Sequence, residues 1–287
     1  PDADHLQTVQ LQAAIDALSA AGGGVLELPA GIYRTGALHL KSGVALYLAS
    51  PETRVQFTPE EPEKNYPLVF SHWEASPCYN YSALLYACDA HDIAVTGCGT
   101  LDGGADKDHW WNWHHQVEES WSENKPDLQL AARSTLRRMN EEGVPVRQRI
   151  FGSGHFLRPN FVQFLRCERV LLQGVTLHNS PMWQLNPVQC KSVIADGLTL
   201  SSHGANNDGC DPESCSGVWI KNCRFDTGDD CISLKSGRDR DGCTANIPCA
   251  DVLIEHNEFA DGHGGIALGS EMSGGICRVL AAENHFS

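Results

Sequence analysis

Three aspartates and one histidine are the residues of this sequence that could carry out acid–base chemistry together. Cleavage of a glycosidic bond needs one carboxylic acid to protonate the leaving oxygen and one carboxylate to activate water or attack the sugar. Neighbouring carboxylates cannot all ionise freely, so crowding separates their pKa values and keeps one proton bound near neutral pH. The candidates stand in Asn-Asn-Asp-Gly-Cys-Asp, Gly-Asp-Asp-Cys and Gly-His-Gly, and they are Asp208, Asp229, Asp230 and His263.

The positions of these acids predict that they lie on one surface patch. Asp208 and Asp229 are 21 residues apart, close to the period at which this part of the chain repeats. In a coiled stack of strands, one period returns the chain to the same face, about 4.8 Å further along. We therefore expect Asp208 on the coil before Asp229, and His263 about one coil later. Asp230 can share the patch only if the chain bends at Gly228, because neighbouring strand residues point to opposite faces; otherwise one of the two faces solvent.

The repeat consists of short apolar runs, each followed by a polar residue or a glycine. Recurrence at a period of about 20–50 residues indicates a stacked array, and runs that alternate and end in Gly, Asn or Asp read as strands. No helical pattern separates them after residue 160, which favours a parallel β-helix. A β-sandwich is the alternative, but it needs no near-constant period. The runs start at Val170, Val193, Val218, Val252 and Val279, with offsets of 23, 25, 34 and 27 residues, and Ile93 starts an earlier one.

Two segments fall outside the repeat. Residues 8–21 have an amphipathic pattern and predict a helix with Thr8 as its N-cap, placed over the open end of the first coil. Residues 102–157 are rich in charge, His and Trp, and we interpret them as an insertion on one face, with a short helix over 128–140 begun by Asp127. The whole chain, 1–287, is then one β-helix domain.

Composition and charge restrict the classes of partner. The net charge of −15 argues against nucleic acid and anionic membranes. No apolar run reaches about 18 residues, the length needed to span a membrane. The same charge would repel an acidic polysaccharide, so a local cationic site would have to overcome it.

The twelve cysteines allow a disulfide framework or a set of buried thiols. We favour mostly free thiols, because Cys98 and Cys223 occupy matching places in their repeats. Cys243–Cys249 is the best candidate for a bridge. Zinc is disfavoured, because no paired Cys-x-x-Cys spacing is present.

The three motifs, in this order and on this repeat, resemble the polygalacturonases of glycoside hydrolase family 28. The resemblance covers most of the chain, including residues 22–33, 99–103 and 179–183. Residues 235–237 and 270–275 are similar to the bacterial and plant-like branch, which includes exo-acting members.

The resemblance implies a right-handed parallel β-helix that hydrolyses α-1,4-galacturonosyl linkages of pectin or polygalacturonate with inversion. It implies Asp229 as the general acid, Asp208 and Asp230 as bases on water, and His263 as a residue that tunes protonation. The partner would be an acidic plant polysaccharide, with no cofactor, metal, nucleic acid or membrane. We expect a monomer that is secreted or periplasmic.

Two features depart from the family pattern. The family has an Arg-x-Lys motif on the coil after Gly-His-Gly, and this sequence ends at Ser287 before that point. We therefore expect the chain to be a fragment that lacks C-terminal coils and is inactive by itself. Asn186 stands before Pro187 where relatives often have His, so a group that can titrate is replaced.

Substrate binding is assigned to four residues, Asn206, Lys235, Arg158 and Asn186. Lys235 and Arg158 could each pair with a uronate carboxylate, or could be idle. The tryptophans of 110–113 could stack on sugar rings or form the core of the insertion. If the insertion closes one end of the groove, cleavage would proceed from a chain end.

Three other functions stay open at this point. The chain could cut rhamnogalacturonan or another decorated pectin with the same residues. It could be a β-helical polysaccharide lyase, which would use Ca²⁺ and a Lys or Arg base. It could also be a non-catalytic carbohydrate-binding solenoid.

Overall fold

The computed structural model describes residues 5–114 and 126–287. Its parallel strands stack coil upon coil into three long sheets, so the predicted right-handed parallel β-helix is confirmed. Residues 115–125 of the predicted insertion lie outside the described part of the chain. Among the described residues, no helix is both long and apolar enough to cross a bilayer.

Sheet 1 carries the repeated runs in register. Val170 pairs with Val193, and Val218 pairs with Val252, so each run lies directly beside the next. These valines face inward and are almost fully buried, and each buried side chain of this size contributes about 1.5–3 kcal/mol. The strands of sheet 1 are Gly24–Leu28, Val44–Leu48, His91–Gly97, Glu168–Gln173, Lys191–Asp196, Ser216–Lys221, Cys249–Glu255 and Ile276–Ala282.

Sheet 2 follows sheet 1 in each coil after a tight corner. Its inward residues, among them Leu177, Leu200 and Phe225, are fully buried and stack on one another. Its strands are Gly31–Thr35, Thr53–Phe57, Thr100–Asp102, Thr176–His178, Thr199–Ser202, Arg224–Thr227, Glu258–Asp261 and His285–Phe286.

Sheet 3 completes each coil and lies next to the loops that carry the conspicuous acids. Single bridges at Cys210 and Glu213 connect its two groups of strands. Its strands are Leu38–His39, Leu85–Cys88, Val162–Leu165, Leu185–Val188, Ile232–Leu234 and Ile266–Leu268.

The helix Thr8–Ala20 packs on the first coil, as predicted, and buries Leu11 and Ile15. The expected N-cap is wrong by one residue: Gln7 holds that position without a side-chain bond. The hydroxyl of Thr8 instead accepts a hydrogen bond from the backbone N–H of Gly36 at 2.7 Å, which ties the helix to the coil beneath it.

The insertion contains the helix Leu130–Glu142, which starts and ends two residues after the predicted bounds. Asp127 still serves the helix start, because its carboxylate accepts from the backbone N–H groups of Gln129 and Leu130 at 3.1 Å. The helix packs beside the antiparallel hairpin Leu68–Trp73 and Ser76–Tyr81. The short helical segments of this region are Pro62–Asn65, Trp111–Trp113 and Val146–Gln148.

A fourth α-helix, Asp239–Ala245, lies where the sequence indicated only a loop. It follows the coil that carries Asp229 and packs against the insertion helix. Its seven residues include Gly242 and Thr244, which have low helix propensity, so the local sequence is too weak a signal to predict the helix.

All twelve cysteines are free thiols. The candidate bridge Cys243–Cys249 does not form, because Cys243 is exposed on its helix while Cys249 is buried in sheet 1. The expected stacking of Cys98 is also wrong, since Cys98 is exposed. The thiols that do stack are Cys167, Cys190 and Cys215, where each backbone N–H of the first two lies 3.3 Å from the next sulfur.

Candidate active site

The acids lie at the corner where the chain passes from sheet 2 to sheet 3. Asp208 follows the strand Thr199–Ser202, and Asp229 and Asp230 follow Arg224–Thr227. One oxygen from each of the three carboxylates lies within 4.8 Å of the other two. The predicted patch of three acids is therefore present.

Backbone register pairs Asp208 with Asp230. Cys210 bridges to Ile232, and the N–H of Gly209 donates to the carbonyl of Asp230 at 2.9 Å. The step between these coils is therefore 22 residues, one more than the spacing of Asp208 and Asp229, which corrects the expected stacking of that pair.

His263 lies beside Asp229 on the next coil. Its backbone N–H donates to the Asp229 carbonyl at 3.1 Å, and its Nδ1 lies 3.2 Å from Asp229 Oδ1. The imidazole is 73% exposed, so a ligand in the cleft could reach it.

A bend at Gly228 allows both neighbouring acids to line the same cleft. The strand ends at Thr227, and a Cβ at position 228 would lie 2.7 Å from the carbonyl oxygen of Gly204. Only glycine fits this close approach. Because Asp229 and Asp230 lie in the bend and not in a strand, strand alternation does not separate them.

The loop before Asp208 is fixed by Asn207, a residue that sequence reasoning missed. Its side-chain amide donates to the carbonyls of Ser180 and Met182 at 3.1 and 3.0 Å, and its oxygen accepts from the N–H of Gly204. The side chain is fully buried. In Asn206-Asn207-Asp208, a buried structural amide thus directly precedes the acid.

Arg158 lies beneath the cleft and does not line it, which corrects its assignment to substrate binding. It is fully buried, and burial lowers its pKa to about 10. Its guanidinium donates to the carbonyls of Pro181 and Ala205 and to the side-chain oxygen of Asn206 at 2.8 Å. Arg158 therefore holds Asn206, which does line the cleft.

Asn186 is also not a lining residue. It is fully buried in sheet 3, where its amide donates to the carbonyl of Asp211 and its oxygen accepts from Asn160 and Gln163. This network of buried amides joins neighbouring coils. A side chain held in this way cannot reach a ligand in the cleft.

Lys235 lines the cleft but its charge is already engaged. Its ammonium lies 3.0 Å from Glu271 and 3.9 Å from Asp208, and it donates to the carbonyl of Gly269 at 2.9 Å. Burial disfavours the charged form, yet the carboxylates of Asp211, Asp208 and Glu271 outweigh burial and raise the pKa of Lys235.

Burial and mutual repulsion disfavour ionisation of the acids. Desolvation raises the pKa of Asp208 well above its usual range, and the charges of Asp229 and Asp230 add to the rise while Lys235 opposes it. Burial and the charge of Asp229 likewise raise the pKa of Asp230. The cluster therefore retains a proton at a pH where isolated aspartates are ionised.

Arginines that the sequence did not indicate also line this cleft. Glu74, at the turn of the hairpin, accepts from Arg137 at 2.7 Å and from Arg133 at 3.2 Å. Arg238 pairs with Glu74 and with Glu271. Together with the acids, these residues enclose a cleft of about 350 Å³. They come from segments outside the repeat, so no periodicity could have located them.

The tryptophan run packs on the main core of the β-helix, and not in the separate cluster beneath the insertion helix. Trp110 is buried and makes edge-to-face contacts with Tyr66 and Trp113. Trp111 donates to the carbonyl of Ser180 at 2.8 Å and packs directly on Gly204. Trp111 thus supports the loop that leads to Asp208, and none of the tryptophans of 110–113 lines the acid cleft.

Within residues 5–114 and 126–287, two groups of side chains could hold a cation. One is the acid cluster itself, and the other is formed by His203, Asp226 and Asp261 at sheet 2. In each group, the potential ligand atoms lie within 4.8 Å of one another.

Comparison with known proteins relates this part of the chain to an enzyme family. Residues 153–280 match the model of glycosyl hydrolases family 28, and this segment contains the acid cluster, His263 and the loops that carry them. Residues 153–280 belong to glycosyl hydrolases family 28. The family 28 segment begins just before the strand Val162–Leu165, so it excludes the insertion helix and the hairpin.

A hyperthermoactive exopolygalacturonase from Thermotoga maritima is a similar solved structure, with 44% identity and a TM-score of 0.94 over 99% of this chain and 63% of that chain. A probable polygalacturonase from Vitis vinifera is 26% identical over 98% of this chain and 52% of its own length. An exo-poly-alpha-D-galacturonosidase from Dickeya chrysanthemi is 25% identical over 99% of this chain and 48% of its own length. The chain spans about half the length of these two curated relatives.

Proposed function

We propose that the protein hydrolyses α-1,4-galacturonosyl linkages of polygalacturonate or pectin. The observation that carries the proposal is the cluster of three carboxylates within 4.8 Å, with His263 beside Asp229, in one cleft. Hydrolysis of a glycosidic bond requires a proton donor and a base on water, and this cluster contains both. The polygalacturonase names of the relatives support this choice of substrate.

In the proposed mechanism, Asp229 protonates the leaving oxygen while Asp208 and Asp230 take a proton from the attacking water. The side chain of Asp229 is 24% exposed and that of Asp208 is 5% exposed, so Asp229 is the acid that a glycosidic oxygen can reach. Carboxylates this close titrate as one unit. One proton leaves the cluster and one enters it, so its proton count is restored after each turnover.

We propose that cleavage proceeds from a chain end, because the insertion helix contributes Arg133 and Arg137 to the lining of the cleft and would restrict the passage of a long chain. The exo-acting names of two similar proteins agree with this mode of action.

A lyase mechanism is disfavoured by the state of Lys235. A base must be neutral before it can take a proton, and the surrounding carboxylates raise the pKa of Lys235. We further propose that residues 1–287, with the insertion of about 102–157, act as one β-helical catalytic unit. Because the substrate is an external plant polysaccharide, we propose a secreted or periplasmic monomer that uses no cofactor and binds neither nucleic acid nor membrane.

The experiment is Asp229→Asn in the full-length protein, assayed by release of reducing ends from polygalacturonate and from rhamnogalacturonan. We expect a loss of at least about 10³-fold in kcat with the melting temperature preserved. The matched control is Asp196→Asn, a partly buried aspartate on sheet 1, which should keep full activity. An unchanged rate in Asp229→Asn would refute the acid assignment. Wild-type activity on rhamnogalacturonan and none on polygalacturonate would show that rhamnogalacturonan is the substrate.

The anomer of the first product tests the stereochemical part of the proposal. The nearest carboxylate oxygens lie closer than the roughly 6.5–9.5 Å of most inverting pairs, so inversion needs its own measurement. Proton NMR during early turnover should show the β-anomer of galacturonate. An initial α-anomer would indicate a covalent, retaining mechanism.

A further inference from the structure

Groups of both charges line the cleft. The acids Asp208, Asp229 and Asp230 lie on loops of the β-helix. Arg133 and Arg137 come from the insertion helix, and Arg238 directly precedes the helix Asp239–Ala245. A sugar with a carboxylate is repelled by the acids and attracted by the arginines, so these charges favour one orientation of such a sugar.

The arginines of the cleft carry more positive charge than the carboxylate they share can neutralise. Arg133, Arg137 and Arg238 all pair with Glu74, and Arg238 shares Glu271 with Lys235. The surplus stands out because the whole chain has a net charge of −15.

Arg133 and Arg137 are held in position by their helix. They are four residues apart and therefore point to the same face. The adjacent face of the helix is buried through Ala132, Leu136 and Asn140. The amide of Asn140 donates to the Ser76 hydroxyl and to the carbonyl of Arg238, both at 3.1 Å, so the guanidinium groups are placed before any ligand arrives.

Both guanidinium groups have donors that Glu74 does not use. Arg133 contacts Glu74 through Nε. Its two Nη groups form no hydrogen bond with another of the described residues. Arg137 contacts Glu74 through Nη2. The side chains are 28% and 37% exposed, so a ligand in the cleft can reach them. Planar guanidinium groups suit a carboxylate, which they can bind through two parallel hydrogen bonds.

We infer that Arg133 and Arg137 bind the carboxylate of the galacturonate unit that occupies this cleft, and that they make the site selective for free over methyl-esterified uronate. The inference rests on the proposed function. If the arginines only fasten the helix to Glu74, their removal should lower stability but leave this selectivity unchanged.

The test is calorimetric binding to full-length protein that carries Asp229→Asn, which prevents turnover. The affinities for trigalacturonate and for its methyl ester are measured with three proteins. They are the Asp229→Asn background, the same background with Arg133→Gln and Arg137→Gln, and the same background with Arg138→Gln. Arg138 is exposed on the same helix and does not line the cleft, so it controls for lost charge. We expect the background to bind the free acid about 30-fold more tightly than the ester. The double variant should reduce this ratio to about threefold, and the Arg138 variant should keep it.

The outcomes separate the two levels of the argument. An unchanged ratio in the folded double variant overturns the inference and leaves the proposed function standing. If neither oligomer binds the background protein, the proposed function falls and the inference falls with it. If the double variant does not fold, the single variant Arg133→Gln is decisive, because Glu74 still pairs with Arg137 and Arg238 in it. This variant should reduce the ratio of free-acid to ester affinity about fivefold. An unchanged ratio refutes the inference.

Discussion

The ammonium of Lys235 lies closer to Glu271, at 3.0 Å, than to Asp208, at 3.9 Å. Its charge is therefore committed mainly to Glu271, and Asp208 stays buried without full compensation. This explains why the pKa of Asp208 is raised although a cation lies next to it. The burial that would serve Asp208 in the proposed mechanism therefore costs stability.

Asp208→Asn should stabilise the protein, and more so at higher pH. The folded pKa of Asp208 lies above its ordinary value, so the folded state binds the proton more tightly than the unfolded chain does. Its contribution to stability is full at low pH and is lost as pH rises through the folded pKa. Asn cannot ionise and avoids this loss. We expect a melting temperature about 2–4 °C higher at pH 7.5 and little change at pH 3.5.

Asp196→Asn is the control of opposite sign for that experiment. The hydrogen bond from Asn222 lowers the pKa of Asp196, and the one from Gln173 adds to this effect. Burial raises the pKa but does not outweigh them, so the pKa lies below its usual value. Its replacement should lower the melting temperature at pH 7.5 and not at pH 3. A stabilised Asp196→Asn, or an Asp208→Asn effect without pH dependence, would contradict the electrostatic explanation.

His263→Ala should reduce kcat on polygalacturonate by about 10- to 100-fold with little change in KM. The imidazole lies 3.2 Å from Asp229 and is mostly exposed, so it acts on protonation more than on the fold. The pH profile of kcat should also change shape. His91→Ala removes a similarly exposed histidine from sheet 1 and should leave both unchanged. Equal losses in the two variants would exclude a specific role for His263.

Chelation should leave hydrolysis unchanged within about twofold. The three aspartates could bind a cation, but in the proposed mechanism they exchange protons, and a bound divalent ion would occupy the same oxygens. The measurement is the reducing-end rate after dialysis against EDTA, with and without added Ca²⁺. A loss of tenfold or more that Ca²⁺ restores would favour metal-assisted chemistry.

Arg158→Met should destabilise the protein by about 3 kcal/mol. Its removal leaves the buried carbonyls of Pro181 and Ala205 without donors and frees Asn206. Urea denaturation of this variant and of Arg138→Met measures the difference. A midpoint equal to that of Arg138→Met would show that Arg158 is dispensable for the fold.

The β-helix and the acid cluster could be predicted because the sequence repeats where the structure repeats. Val170 and its equivalents recur in the primary sequence and pair in register in sheet 1. The pairing of Asp208 with Asp230 was missed by one residue, since corner loops vary in length while strands do not. A single residue in a corner changes which neighbours stack.

The binding residues were harder to predict because burial decides their role. Arg158 and Asn186 have the side chains of binding residues but lie fully buried in hydrogen-bond networks. Arg133 and Arg137 line the cleft but belong to an insertion without a repeat. Their relation to Glu74 exists only in three dimensions.

The separation of the arginine helix from the acid loops along the chain has an evolutionary consequence. The segment Leu130–Glu142 can be lengthened, exchanged or recoded without any change in residues 206–230. New substrate preferences can therefore arise while the catalytic loops are conserved under selection. Diversification in such proteins should concentrate in the insertion, and laboratory libraries directed at that helix should yield altered preferences more often than libraries directed at the coils.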